Sequence, residues 1–283
     1  MKFFLLVIFT SSLFNCSNEN IHSTLSVGFW NVENLFDLID DPEKRDEEFA
    51  LNGKKNVTQE IYDLKIKNSA EVLKDLAVDV LGLCEVENKN VLNDLNNAFD
   101  DREYKIIHYE SPDERGIDNA LLYDPKKFEL ISSKSIVNFL GGGDKTRDIL
   151  YVKGTFSRSL IHIFVNHWPS NYGGKKRAIP KRNSTARLLM AEIEQIRTIE
   201  EEPNIILLGD FNEDPDDQNI ELLGNIGLTS LMADMVGKNG ISTYIYRGTN
   251  YLYDQIIVSE EVVDKKGMTI ADSSLYILDL PKY

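Results

Sequence analysis

Three apolar runs in this chain break off into polar side chains in the same way: Leu81-Gly82-Leu83-Cys84-Glu85, Ile163-Phe164-Val165-Asn166-His167 and Ile206-Leu207-Leu208-Gly209-Asp210-Phe211-Asn212. A fourth, Val27-Gly28-Phe29-Trp30, gives way to Asn31. Short runs of this kind read as strands buried on both faces. Strands that deliver carboxylate, imidazole and amide to one sheet edge build a polar pocket on a rigid frame. Each residue type suits phosphodiester hydrolysis. Glu85 can hold a hard divalent cation, Asp210 can orient or deprotonate water, and His167 can stabilise or protonate phosphate oxygens. Taken singly, a carboxylate after a strand is more often a helix cap or a surface residue.

Strand parity separates the two neighbouring histidines. Ile161, Ile163, Val165 and His167 share one face, while His162 points the other way, which gives it a structural role. His108 and His22 lie in no comparable constellation.

From Leu25 onward short apolar runs alternate with amphipathic stretches, and no repeat, Pro-rich linker or low-complexity tract divides the chain. One domain is the simpler reading of its 283 residues, and 42% hydrophobic residues suffice for a sizeable core. Further strands are expected at Val78–Cys84, Tyr104–His108, Asn119–Tyr123, Ile149–Phe156 and Asp254–Ser259. Helices are expected at Ile61–Leu76, Lys89–Ala98 and Ser184–Glu201, the last with Ser184 as its cap and Leu188, Leu189, Ile193, Ile196 and Ile199 at helical spacing. The acidic stretch from Asp37 to Glu48 has no such period and reads as a loop with solvated charges.

The N-terminus differs in composition. Met1-Lys2 is followed by the apolar run Phe3–Phe14, shorter than the roughly 20 residues a spanning helix needs, and then by Cys16. Residues 1–23 therefore read as an export signal and short linker. Leu13-Phe14-Asn15-Cys16 is similar to a bacterial lipoprotein signal with Cys16 as the lipidated residue, although Asn15 departs from the small residue usual there; a plain signal peptide is the alternative. The expectation is an exported protein of the bacterial envelope, secreted or anchored to the membrane through lipid only, and monomeric. The other cysteine, Cys84, lies in an apolar strand pattern and reads as a buried core thiol.

A net charge of −15 argues against passive adhesion to a polyanion, which normally rests on Lys and Arg neutralising phosphates. Local help comes from Asn171 to Met190, which carries Lys175, Lys176, Arg177, Lys181, Arg182 and Arg187 with no acidic residue. Lys175, Lys176 and Arg177 are therefore candidate phosphate contacts, against the alternative of a solvated loop and helix start.

Gly28-Phe29-Trp30-Asn31-Val32-Glu33-Asn34-Leu35-Phe36-Asp37, Leu83-Cys84-Glu85-Val86-Glu87, Asn166-His167-Trp168-Pro169-Ser170, Leu208-Gly209-Asp210-Phe211-Asn212 and Tyr253-Asp254-Gln255-Ile256-Ile257-Val258-Ser259 together resemble successive motifs of the endonuclease/exonuclease/phosphatase superfamily, the group containing deoxyribonuclease I. The resemblance implies an α+β fold: a four-layer α/β/β/α sandwich, two mixed β-sheets packed face to face with outer helices, here spanning residues 24–283. It implies a Mg²⁺ or Mn²⁺ site at Asn31 and Glu85, a contact from His167 to the scissile phosphate, and positioning of the attacking water or the transition state by Asp210 and Asn212. Thr146-Arg147-Asp148-Ile149-Leu150 is similar to the segment that places an arginine against phosphate, making Arg147 a contact, and Arg115 and Asp118 would be lip residues. Family members continue past the strand holding Asp254 to a Ser-Asp-His segment whose histidine pairs with that aspartate. No Asp-His dipeptide occurs in this chain, so the domain is expected to be C-terminally incomplete: truncated, completed by another chain, or catalytically impaired.

The function implied is divalent-metal-dependent hydrolysis of phosphodiester bonds, as a nuclease acting on DNA or RNA. The alternatives are a phosphatase acting on a small phosphorylated alcohol such as an inositol phosphate, and a noncatalytic phosphate-binding protein.

Overall fold

The apolar runs form strands that bury both faces because two sheets stack and helices cover the outside. A computed structural model of the chain describes residues 4–14, 20–99, 102–140, 144–263 and 268–279. In chain order the elements are β1 (Phe4–Phe14), β2 (Asn20–Leu35), α1 (Gln59–Leu76), β3 (Val80–Val86), α2 (Lys89–Asn97), β4 (Lys105–His108), β5 (Asp118–Tyr123), β6 (Glu129–Ile136), β7 (Ile149–Phe156), β8 (Ser159–His167), α3 (Lys175–Arg197), β9 (Asn204–Asp210), α4 (Gln218–Gly224) and β10 (Leu228–Ser230). They continue as β11 (Tyr244–Tyr246), β12 (Thr249–Tyr251), β13 (Asp254–Ser259), α5 (Glu260–Val263), β14 (Met268–Ile270) and β15 (Tyr276–Leu278).

One sheet has the order β14-β1-β2-β3-β5-β4, with β15 also pairing β1; the second runs β10-β13-β9-β8-β7-β6, and β11-β12 is a separate hairpin. Both large sheets are mixed: β2 and β3 are parallel in the first, β8 and β9 in the second, and the other pairs are antiparallel. Alternate residues feed different cores. Val80 and Cys84 of β3 meet Ile206 and Leu208 of β9 between the sheets. Leu81 and Leu83 face the other way, onto Ile66, Leu73, Val91 and Leu95 of α1 and α2. Ile205 and Leu207 face Leu189 and Ile193 of α3 and Leu223 of α4. The result is the expected α/β/β/α sandwich, and Cys84 is a buried core thiol.

Two expectations are corrected, and the sheet also holds a strand ahead of residue 24: β1 pairs antiparallel with β2 from Leu5↔Phe29 to Phe14↔Asn20, and Val7 and Phe9 enter the inter-sheet core. An apolar, β-branched and aromatic run satisfies a strand as well as it satisfies an export signal. Cys16 lies outside the described residues. The helix expected from Ser184 begins at Lys175 instead, passing through Pro180, and the Ser184 hydroxyl donates to Pro180 O rather than capping. Burial explains the early start, since Ala178 and Arg182 already face the interior. Likewise, the loop after β2 is a loop as expected, but its charges are not all solvated. Asp46 is 1% exposed, its Oδ2 accepting from Asp41 N. Glu87 accepts from Asp37 N, and burial first, then neighbouring carboxylates, pushes its pKa up to about 8.

Gly209 faces Asn166 on the parallel neighbour β8 so closely that a Cβ would sit 2.6 Å from Asn166 O. Gly209→Ala is expected to cost about 1–3 kcal/mol, because the contact is with backbone that cannot rotate away. A urea-unfolding midpoint equal to that of the parent would contradict this packing.

Candidate active site

Two bulges shape the first half of the site. β2 and β3 keep register from Val27↔Val80 to Asn31↔Cys84, then slip so that Leu35 pairs with Val86. β3 slips against β5 at the same place. Glu33 (φ 53°), Asn34 (φ 60°) and Glu85 (φ 62°) take the left-handed conformation there, a cost of about 1 kcal/mol or more per residue that is tolerated where a side chain must be re-aimed. In a regular strand Glu85 would continue the side of Leu81 and Leu83, under the helices. The bulge turns it to the pocket instead, where Asn34 N holds Glu85 Oε2 at 2.9 Å.

The second sheet supplies a row across three strands. Asp254 of β13 is in register with Asp210 of β9, and Asp210 with His167 of β8. Phe211 N donates to Tyr253 O and Trp168 N to Asp210 O, tying the three strand ends together. Asp210 Oδ1 accepts from Asn212 N at 2.9 Å, with Asn212 at φ 52°, which leaves Oδ2 for the pocket.

The two halves meet at Asn31. Its Nδ2 donates to Glu85 Oε1 at 3.3 Å and to Asp210 Oδ2 at 3.0 Å, while Glu33 N holds its Oδ1 at 2.9 Å. His167 Nε2 lies 3.9 Å from each of the same two carboxylate oxygens, beyond hydrogen-bond length. These groups surround a space rather than close onto one another. Asn31, Glu85, His167, Asp210, Asn212 and Asp254 all line one pocket of about 580 Å³.

The expected outer contacts fall elsewhere. Arg147 is 6% exposed: its Nη1 faces Asp113 Oδ2 at 3.3 Å and its Nη2 donates to Trp168 O at 2.8 Å, with burial lowering its pKa. Asn212 Nδ2 donates to the same carbonyl at 3.1 Å, so both side chains brace the turn after His167. Asp118 is fully buried between His108 Nε2 (3.1 Å) and Ser111 N (2.8 Å), not on a lip. Arg115 is half exposed and faces Asp113 at 3.4 Å. The basic stretch is largely spoken for: Lys175 pairs with Asp217 at 3.0 Å, Lys181 with Asp144 at 2.6 Å, and fully buried Arg182 with Glu213 at 2.8 Å. Lys176 and Arg177 are exposed on the first turn of α3 and do not line the pocket. His162 is 1% exposed between Tyr151 and Glu200, structural as its parity requires.

Sequence reasoning missed other lining residues. Lys55 and Lys65 bring the cationic side chains that the basic stretch does not, and Lys65 Nζ donates to the carbonyls of Glu33 and Asn34, bracing the first bulge. Thr243, Tyr244 and Tyr253 close the opposite wall. The aromatic alternation around Arg247-Gly248 was the available signal for a hairpin there. Apart from the pocket, His108, Glu110 and Asp118 bring potential ligand atoms within 4.8 Å of one another.

No curated protein sequence matches this chain. Among solved structures, a mannosyl-6-phosphatase of Bacteroides thetaiotaomicron superposes with a TM-score of 0.57 at 18% identity, covering 82% of this chain and 84% of that one. The catalytic domain of human Nocturnin gives 0.59 at 15% identity, with 90% and 87% covered. A TDP2 of D. rerio complexed with a single-strand DNA product gives 0.56 at 16% identity, with 83% of each chain covered. At these identities the likeness establishes the fold. The model of the endonuclease/exonuclease/phosphatase family matches residues 26–279. With nearly the whole chain matched and its motifs gathered at one pocket, the protein belongs to the endonuclease/exonuclease/phosphatase family.

Proposed function

We propose that this protein is a metal-dependent phosphoesterase that hydrolyses phosphodiester bonds, with single-stranded nucleic acid as its substrate class. The observation that carries the reading is the pair Glu85 and Asp210, delivered by different sheets and spanned by the neutral amide of Asn31, with an imidazole 3.9 Å from each. Two carboxylates facing one space repel each other, and their oxygens are the hard donors that Mg²⁺ or Mn²⁺ takes, while Asn31 Nδ2 bridges them. Glu85 would hold that ion, joined by Asn31 once its amide oxygen turns from Glu33 N to the pocket, which leaves Asp210 Oδ2 for water. When bound, it polarises a phosphoryl oxygen and neutralises the charge that develops in an in-line displacement.

The chain's own groups do the rest. Asp210 Oδ2, with its partner oxygen fixed by Asn212 N, orients the attacking water and takes up its proton. His167 donates from Nε2 to a phosphate oxygen, its ring held in place by the turn that Arg147 and Asn212 clamp at Trp168 O. Asp254 stands beside Asp210 in the same row and aligns the reacting end of the substrate.

The DNA product bound to the D. rerio relative supports a nucleic-acid substrate. A second reading, a phosphatase acting on a small phosphorylated alcohol, is favoured by the pairing of Lys175, Lys181 and Arg182 with carboxylates, which leaves less positive surface for a long polyanion. Turnover of single-stranded DNA, RNA, inositol phosphates and mannose 6-phosphate, compared with added Mg²⁺ or Mn²⁺, separates them. Faster turnover of the oligonucleotides is expected; exclusive turnover of the small phosphates would overturn the leading assignment.

A further inference from the structure

The pocket opens on one side into a cleft that the phosphate chemistry does not use. Ser170, Asn212, Tyr244 and Tyr253 line both, and beyond them the cleft is walled by Tyr246, Tyr251 and Tyr172. One wall is the β11–β12 hairpin. Its register, Tyr246↔Thr249, leaves Arg247 (φ 49°) and Gly248 (φ 80°) as a two-residue turn with both residues left-handed, the tight connection that matches strand twist. Tyr244 and Tyr246, two residues apart on one strand, project from the same face with rings within 8° of parallel and centroids 6.4 Å apart. Tyr253 stacks on Tyr244 at 5.5 Å and 21°, and the Arg247 guanidinium lies 5.2 Å from the Tyr246 centroid. Across the cleft Tyr172 is 96% exposed, and Tyr246 remains 49% exposed.

Aromatic faces left in water beside a reaction pocket are costly unless something planar or apolar covers them. The polar groups of the cleft narrow the choice. Asn171 donates to Tyr253 Oη and accepts from Arg182, Lys175 is paired with Asp217, Asn212 donates to Trp168 O, and Ser170 Oγ accepts from Tyr172 N. The amide and ammonium groups of the cleft are thus engaged within the protein, and what it offers a ligand is chiefly the tyrosine rings with their hydroxyls. A heteroaromatic ring needs only a face, and base stacking on aromatic side chains tolerates any sequence.

We propose that this tyrosine cleft is a base-stacking subsite, taking the nucleobase next to the scissile phosphate between Tyr246 and Tyr172 while the phosphate occupies the neighbouring pocket. The inference rests on the phosphodiesterase reading of that pocket, and it restricts the substrate to unpaired strands, because a base inside a duplex cannot present its face.

Binding in EDTA tests the subsite apart from hydrolysis. The probe is a short single-stranded DNA carrying 2-aminopurine, whose fluorescence is quenched on stacking, titrated with the full chain. Tyr246→Ala and Tyr172→Ala are each expected to weaken binding about tenfold, the scale of one lost base stack. Tyr246→Trp should retain it, and an abasic nucleotide at the stacked position should weaken the parent but not Tyr246→Ala. Parent-like binding by both alanine variants, or equal binding of abasic and intact strands, would overturn the proposal, as would mannose 6-phosphate displacing the probe more effectively than a nucleoside monophosphate. If quenching depends on the tyrosines but no phosphodiester is cleaved with metal added, the hydrolytic reading fails and the subsite stands. Tyr172 is almost fully exposed and Tyr246 nearly half exposed, so each variant is expected to keep the parent's circular dichroism.

Discussion

Glu85→Gln is expected to lower kcat/KM for the proposed phosphodiester hydrolysis by about 10²- to 10⁴-fold, the range associated with loss of a positioned catalytic group, and to leave the fold intact. The side chain keeps its volume and still offers an oxygen to Asn34 N, so the bulge at φ 62° keeps its anchor. What disappears is one of the two negative charges spanned by Asn31. Removing a like charge beside Asp210 relieves repulsion, so the unfolding midpoint should stay level or rise while activity collapses. Metal affinity measured by calorimetry should fall in parallel. A variant that lost stability together with activity would show instead that Glu85 acts by holding the bulge.

The largest effect on stability is expected at Arg182, away from the reacting atoms. Its guanidinium and the Glu213 carboxylate are essentially without solvent contact, 2.8 Å apart, and Glu213 also accepts from the side chain and backbone of Asn219. Arg182→Met would leave Glu213 charged and buried opposite a thioether, at a cost of about 3–5 kcal/mol. It would also release Pro169 O and Asn171 Oδ1, which Arg182 Nη1 holds in the loop after His167. Adding Glu213→Gln should recover most of the stability, because the lone charge goes with it. Chemical denaturation of the two single variants and the double variant checks this, and a loss below about 1 kcal/mol in the first would mean that water reaches the pair.

Why Arg182 reads as a surface charge in the sequence, and Glu85 does not, marks what local pattern can reveal. Val80–Val86, Ile149–Phe156 and Asp254–Ser259 are legible because strands buried on both faces are apolar throughout, and their abrupt polar ends place Asn31, Glu85, His167, Asp210, Asn212 and Asp254 at one edge. The bulges that aim Glu85 are not legible, since left-handed Glu33, Asn34 and Glu85 carry no glycine to announce them. Charges are legible only when their partners are local. Lys181 finds Asp144, Lys175 finds Asp217 and Arg182 finds Glu213, each more than 30 residues away, so half the cations of a run that looks like a phosphate grip are paired within the protein, one of them fully buried. The burial of Asp118 and Arg147 is equally illegible, since it follows from contacts with His108, Asp113 and Trp168 that no local pattern announces. Strand β6 escaped notice because its Glu129-Leu130-Ile131-Ser132-Ser133-Lys134 pattern is that of a sheet edge exposed on one side.

The central claim is that Glu85 and Asp210 form a metal-dependent hydrolytic centre. It is tested most directly by following release of p-nitrophenol from bis(p-nitrophenyl) phosphate by the purified chain, in EDTA and after addition of Mg²⁺ or Mn²⁺, for the parent and Asp210→Asn. Turnover that is abolished by EDTA, restored by the metal and reduced by at least about a hundredfold in the variant is the predicted result. Turnover that survives EDTA, or that Asp210→Asn supports as well as the parent, would contradict it.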